Sequence, residues 1–98
     1  MDIKIDRGSA LAYNYNEQYA IDLLQKYFSI YPFVTSAKIF FRGDKHATKK
    51  VKIQLRLKGK DLFAKAEGKY HDSALENAIS KLRSQIEKYK TQHYKKSV

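Results

Sequence analysis

Apolar positions along the chain switch between two spacings, and each switch marks an element. Ile3 and Ile5 alternate with Lys4 and Asp6, the two-residue period of a short strand. Residues 7–13, with Gly8 and Ser9, read as a loop. The spacing predicts a helix over 14–30. Tyr19/Ala20, Leu23/Leu24 and Tyr27/Phe28 recur three to four apart and form one broad apolar stripe. Asn14 or Asn16 supplies a cap, and Pro32 stops the helix because the residue before a proline avoids the helical region. The two-residue period returns over 37–42, with Ala37, Ile39 and Phe41 on one face and Lys38, Phe40 and Arg42 on the other. Residues 43–50 read as a basic polar loop. Residues 51–57 are the clearest strand, with Val51, Ile53, Leu55 and Leu57 opposite Lys52, Gln54 and Arg56. A tight hairpin turn at 58–61 leads into a returning strand over 62–68, with Leu62, Ala64 and Ala66 on one side and Phe63, Lys65 and Glu67 on the other. The last helix opens on Ser73-Ala74-Leu75-Glu76, the pattern of a capping box. Its stripe is Leu75, Ala78/Ile79, Leu82, Ile86 and Tyr89, and it frays into residues 91–98.

The order β-α-β-β-β-α is that of an α+β domain. Short loops join the last three strands into an antiparallel meander. The first strand reaches the second through a helix, so that pair is expected to be parallel, with a right-handed crossover. Each helix has one apolar stripe and each strand one apolar face. The economical packing places both helices on one face of a four-stranded sheet. The other face then carries Lys4, Lys38, Phe40, Arg42, Lys52, Gln54, Arg56, Phe63, Lys65 and Glu67.

Ninety-eight residues suffice for one domain, expected over 1–91 with a basic tail over 92–98. With no cysteine there is no disulfide framework and no thiolate chemistry. No apolar run approaches the ~20 residues of a membrane span. The first residues lack the apolar core of a signal peptide, so a cytoplasmic protein without a membrane partner is expected. Charge adds more. The chain carries +10, and its distribution is uneven. Residues 1–37 hold three basic and four acidic side chains, net −1, whereas residues 38–98 hold seventeen basic and six acidic ones, net +11. Such an excess suits a polyanion, because each neutralised phosphate releases condensed counterions.

Catalytic patterns are missing. His46, His71 and His93 are far apart and have no cysteine partners, so neither a zinc site nor any other cofactor is expected. The glycines are isolated rather than grouped into a phosphate-cradling loop, and Gly8-Ser9 lacks the second glycine of a nucleophile elbow. The acidic residues form no evident acid–base pair, so neither an enzyme nor a small-molecule substrate is expected. What remains is basic residues interleaved with aromatics. Lys38, Arg42, Lys52, Arg56 and Lys65 surround Phe40 and Phe63, whose rings can stack on bases. An apolar cross-strand pair or a protein interface explains the two rings equally well. On the last helix, Lys81 and Lys88 follow one edge of the stripe and Arg83 and Lys90 the other. They serve either as phosphate clamps or as side chains snorkelling from the core.

Two stretches resemble the ribosome hibernation promoting factors, also called ribosome-associated inhibitor or sigma-54 modulation proteins. One, residues 51–67, is similar to that family's alternating strand, glycine turn and strand with small residues inward. The other, residues 81–90, is similar to its basic amphipathic closing helix, and Lys26-Tyr27-Phe28 resembles the end of its first helix. The resemblance implies a double-stranded-RNA-binding-like fold, in the short form without an added dimerisation domain. It implies a translation inhibitor, monomeric off the ribosome, that contacts ribosomal RNA of the small subunit. That factor would occupy the channel for messenger and transfer RNA under stress or in stationary phase. The chain departs from the pattern in its first helix, where Lys26 is nearly alone, and at Ser84, where an arginine is common. The RNA-binding residues expected are Lys81 and Lys88, then Lys49, Lys50, Lys52, Arg56 and Arg83, with Lys26 and Lys90; Phe40 and Phe63 are candidates for base stacking. Two rivals stand beside this reading. One is a free double-stranded RNA binder, although the opening turn of the last helix is acidic. The other is a protein-interaction or dimerisation module acting through Tyr13, Tyr15, Tyr19 and Leu23.

Overall fold

The computed structural model describes residues 1–6, 17–43 and 48–94. Within them the order is β1 (Asp2–Asp6), α1 (Glu17–Phe28), β2 (Val34–Gly43), β3 (Lys49–Leu57), β4 (Lys60–Gly68) and α2 (His71–Tyr94). The strands form one sheet in the order β1-β2-β3-β4. β1 and β2 are parallel, and the other two pairs are antiparallel. This is the β-α-β-β-β-α, α+β architecture that the alternation predicts. The loop expected over 7–13, the caps Asn14 and Asn16, residues 44–47 and the end of the tail lie outside the described residues. Among the described residues no helix is long and apolar enough to cross a membrane.

Register turns the alternation into a core. Ile5, Ile39, Ile53 and Ala64 stand in one row across the sheet, flanked by rows through Phe41, Val51 and Ala66 and through Ala37, Leu55 and Leu62. From β2 to β4 these side chains are buried and meet Ala20, Leu24 and Phe28 of α1. From α2 come Ala74, Leu75, Ala78, Ile79, Leu82, Ile86 and Tyr89. α2 lies over β3 and β4, where Ala64 and Ala66 are small enough to let a helix approach. The large fully buried side chains, such as Phe28, Phe41 and Leu24, each contribute about 1.5–3 kcal/mol of burial.

The structure revises several boundaries. β2 begins at Val34 rather than near residue 37, because a bulge between Val34 and Ser36 interrupts the two-residue period. That bulge turns both Val34 and Ala37 into the core. α1 stops at Phe28, two residues before the expected end. The Ser29 N–H and hydroxyl both donate to the Gln25 carbonyl, and a turn around Pro32 follows, with Tyr31 N–H bonded to Phe28 O at 3.2 Å. Lys49 and Lys50 belong to β3 rather than to a loop, because Gly43 and Arg42 on one side and Gly68 and Glu67 on the other give them partners. The hairpin turn is only Lys58-Gly59, with Leu57 paired to Lys60. Gly59 has a φ of 80°, a conformation that side-chain-bearing residues resist.

The capping box is not formed. α2 begins at His71, so Ser73 and Glu76 lie inside the helix, and the Ala74 N–H bonds to the Tyr70 carbonyl at 3.1 Å. His71 accounts for the early start: it is buried edge-on against Phe41, and its Nε2 lies 3.1 Å from the Arg42 carbonyl oxygen. Glu76 accepts a hydrogen bond from the Tyr19 hydroxyl instead of turning back to Ser73. At the other end the backbone stays helical to Tyr94, three residues past Thr91, where fraying was expected to begin.

Candidate nucleic-acid interface

Sheet parity and helix phase distribute most of the described basic residues over three places. The first is the helix-free face of the sheet. Strand alternation sends Lys4, Lys38, Phe40, Arg42, Lys50, Lys52, Gln54, Arg56, Phe63, Lys65 and Glu67 to this side, while their neighbours enter the core. Lys52 stands opposite Phe40 on β2 and Lys65 on β4. Its Nζ lies 5.5 Å from the Phe40 ring centroid and 5.2 Å from that of Phe63. Lys38 Nζ and the Arg42 guanidinium carbon also lie over Phe40, at 5.0 and 5.6 Å. Phe63 remains 46% exposed, a large apolar side chain on a solvent face. Two shallow depressions indent this face. One, of ≈ 340 Å³, is lined by Asp2, Lys4, Ser36, Ala37, Lys38, Gln54 and Arg56. The other, of ≈ 500 Å³, is lined by Phe40, Arg42, Lys50, Val51, Lys52, Lys65, Ala66 and Glu67.

Carboxylates engage this face at its margins. Arg42 Nη1 donates to the Phe41 carbonyl at 2.8 Å and reaches Asp6 Oδ1 at 3.4 Å, which ties β2 to β1. Arg56 Nε lies 3.4 Å from Asp61 Oδ1, and Gln54 donates to the other oxygen of Asp61 at 3.1 Å. Both ion pairs are open to water, where such contacts are worth well under ~1 kcal/mol, so the guanidinium groups can exchange them for phosphates.

The second place is the groove between the helices, of ≈ 500 Å³, lined by Tyr19, Leu23, Lys26, Tyr27, Glu76, Ile79, Ser80 and Arg83. Here folding joins two predicted residues that are remote in sequence. Lys26 Nζ lies 5.3 Å from the Tyr27 ring centroid and the Arg83 guanidinium carbon 4.5 Å from it. Two turns beyond Arg83, Lys90 Nζ lies 5.4 Å from the Tyr31 ring and 3.7 Å from Glu87. The hydrogen bond to Glu76, then burial, push the Tyr19 hydroxyl up to about 12. Tyr19 and Leu23, proposed for a protein contact, are half-buried and pack against this protein's own core; Tyr13 and Tyr15 lie outside the described residues.

The third place is the free edge of β4. Lys81 donates to the Lys65 carbonyl and Gln85 to the Phe63 carbonyl, each at 2.7 Å. Lys88 is exposed two turns beyond Lys81 on the same edge of α2. Of the predicted residues, Lys50, Lys52 and Arg56 therefore share the sheet face with Phe40 and Phe63. Lys26, Arg83 and Lys90 stand on the helical side, and Lys81 and Lys88 flank β4. Lys49 has the parity of Val51 and points away from Lys50. Sequence reasoning missed Tyr27 and Tyr31 as seats for cations and Gln85 as a partner of the edge. The only local signal for Gln85 was its spacing of four from Lys81.

Residues 12–94 match the sequence family described as sigma 54 modulation protein / S30EA ribosomal protein. Among solved structures, the chain is similar to a ribosomal subunit interface protein from Coxiella burnetii. The TM-score is 0.79 at 22% identity, covering 93% of this chain and 99% of that one. It is also similar to the N-terminal domain of Thermus thermophilus Protein Y, with a TM-score of 0.64 at 18% identity, covering 91% of this chain and 99% of that one. At these identities the likeness establishes a shared fold. No curated protein sequence matches the chain.

Proposed function

The chain belongs to the sigma 54 modulation protein / S30EA ribosomal protein family, and from that premise we propose that it is a ribosome-associated factor that inhibits translation by occupancy rather than by catalysis. In this reading it works in the cytoplasm as a monomer. It binds ribosomal RNA of the small subunit in the channel for messenger and transfer RNA, under stress or in stationary phase. The observation that carries the reading is the net +11 of residues 38–98, in which Lys38, Lys50, Lys52, Arg56 and Lys65 stand on the sheet face, Arg83 in the inter-helix groove, and Lys81 and Lys88 along the exposed edge of α2. A protein basic on several sides suits a cleft walled by RNA better than a single flat contact. Lys26, Lys49, Lys50, Lys52, Arg56, Arg83, Lys88 and Lys90 are assigned to phosphates, with Lys81 shared between phosphate and the β4 edge. A plain RNA duplex is a poorer partner, because α2 opens on a buried His71 and an acidic Asp72 instead of a lysine cluster.

The experiment is co-sedimentation with purified small subunits over a salt series, followed by chemical footprinting of the subunit RNA. Association at low salt that falls steeply as salt rises is expected, with protections along the messenger and transfer RNA path. No association at low salt overturns the reading; association with protections elsewhere overturns the channel.

A further inference from the structure

We propose that the helix-free face of the sheet is a platform for unpaired RNA, with one base seated on Phe63, a second on Phe40, and the lysines that now cover these rings transferred to the flanking phosphates. This rests on the function proposed above and specifies which RNA that face accepts.

The charge pattern comes first. On this face the two inner strands, β2 and β3, present Lys38, Arg42, Lys50, Lys52 and Arg56, and neither strand contains a carboxylate. The acids of the face stand on the outer strands, Asp2 and Asp6 on β1 and Asp61 and Glu67 on β4. A track of positive charge therefore runs along the middle of the sheet between two mixed margins. From Arg56 to Lys50 it is about 20 Å long at ~3.3 Å per residue. That suits a linear polyanion crossing the sheet better than a compact anion.

The rings come second. An exposed phenylalanine on a solvent face is a cost unless something covers it, and here cations do. Lys52 lies between Phe40 and Phe63 at 5.5 and 5.2 Å, and Lys38 lies 5.0 Å over Phe40. An exposed cation–π contact is weak, whereas a base stacked on an aromatic side chain is held more firmly, and the displaced ammonium gains a phosphate. Exchange is favourable for a ligand that brings both a π-face and a negative charge at each step. A nucleic-acid strand does this, and an acidic peptide brings only the charge.

Spacing then selects the unpaired form. Phe40 pairs with Lys52, and Phe63 with Gln54, so the rings stand two strands and two register steps apart. With strands ~4.8 Å apart and ~3.3 Å per residue, their backbones are about 12 Å apart, and the rings lean closer than that, because both meet the one Lys52 Nζ, at 5.5 and 5.2 Å. Neighbouring bases of a duplex strand are ~3.4 Å apart with both faces occupied, so they cannot present π-faces to rings at that distance. Bases splayed from a single strand or loop can.

The test measures anisotropy of a labelled eight-nucleotide single-stranded RNA and of a labelled 16-base-pair RNA duplex, titrated with the full chain and with Phe63→Leu. Phe63 is solvent-facing, so the leucine variant keeps the fold; a thermal melt by circular dichroism verifies this. The single strand is expected to bind at least about ten-fold more tightly than the duplex. Phe63→Leu is expected to weaken single-strand binding about 5- to 100-fold and leave duplex binding unchanged. Equal affinity for both RNAs overturns the proposal, and so does a Phe63→Leu variant that binds the single strand like the wild type. Competition by polyglutamate as effective as that by unlabelled single strand also overturns it, in favour of an acidic protein partner. Small-subunit co-sedimentation of the wild type in parallel separates the two readings: if it persists while these arms fail, only the platform is lost.

Discussion

Lys81 stands where two demands on one ammonium group meet, and Lys81→Met separates them. The Nζ donates to the Lys65 carbonyl at 2.7 Å, while Gln85, one helical turn on, donates to the Phe63 carbonyl at 2.7 Å. Both carbonyls lie on the edge of β4 away from β3, where a strand otherwise offers unpaired backbone to any passing chain. Methionine keeps the apolar stem of lysine over the sheet and removes both donor and charge. A hydrogen bond is worth about 0.5–1.5 kcal/mol net, and water can replace the donor at this exposed carbonyl, so a loss of about 0.5–1 kcal/mol is expected. For a domain of this size that lowers Tm by about 2–8 °C. Thermal melts of wild type and Lys81→Met at two protein concentrations measure it. The double variant Lys81→Met/Gln85→Met should lose about twice as much and self-associate as concentration rises, because the edge is then bare. An unchanged Tm in Lys81→Met, together with a large loss of RNA affinity, would refute the edge assignment and leave Lys81 with phosphate alone.

Three further outcomes follow from the core, the turn and the inter-helix contact. Phe28→Ala removes a ring that is 0% exposed and should cost about 3–5 kcal/mol in urea unfolding, enough to leave a marginal domain partly unfolded; a loss below ~1 kcal/mol would mean that α1 does not hold the core. Gly59→Ala meets no atom within 4 Å, so only its φ of 80° resists the change, and a loss of about 1–2 kcal/mol with RNA binding intact is expected. The Tyr19 hydroxyl is raised from 10.0 to about 12, so its bond to Glu76 contributes fully below pH 10 and is lost as pH rises through 12. An ultraviolet titration should therefore show a late-ionising tyrosine that Tyr19→Phe abolishes, and a difference curve between the two proteins with its step near 10.0 instead of about 12 would mean that the bond does not form.

The parts of the fold that were legible in the sequence are those where one physical rule acts alone. Val51 to Leu57 alternates without interruption, and its parity decides which side every one of its side chains takes. The closing helix was equally plain, because Leu75, Leu82 and Ile86 share one face whatever the start of the helix. Boundaries failed where a tertiary contact overrode a local signal. Ser73 and Glu76 satisfy the capping pattern, yet burial of His71 against Phe41 moves the helix start two residues earlier and gives Glu76 to Tyr19. The site behaves similarly. Phe40, Phe63 and Lys52 fall on one face by parity and were legible as a group. The convergence of Lys26 and Arg83 on Tyr27 depends on how two helices cross, which no spacing within either helix encodes.

The same lysines and arginines that make the chain a candidate for RNA also hold its surface together in the absence of RNA. A chain of net charge +10 repels itself, and seating cations on π-faces and carbonyls reduces that cost. Lys52 lies over two phenylalanines, Arg83 over Tyr27, Lys90 over Tyr31, and Lys81 on a strand edge. Each of these contacts is exposed or partly so, and each is worth about 1 kcal/mol or less. A phosphate can therefore displace them one at a time without unfolding anything. The arrangement predicts an order among the positions. Where the cation leaves behind a carbonyl that water can satisfy, as at Lys65, charge removal should change stability and affinity together. Where it leaves behind a ring, as at Phe63, the vacated surface is itself a binding site, and affinity should respond more strongly than stability.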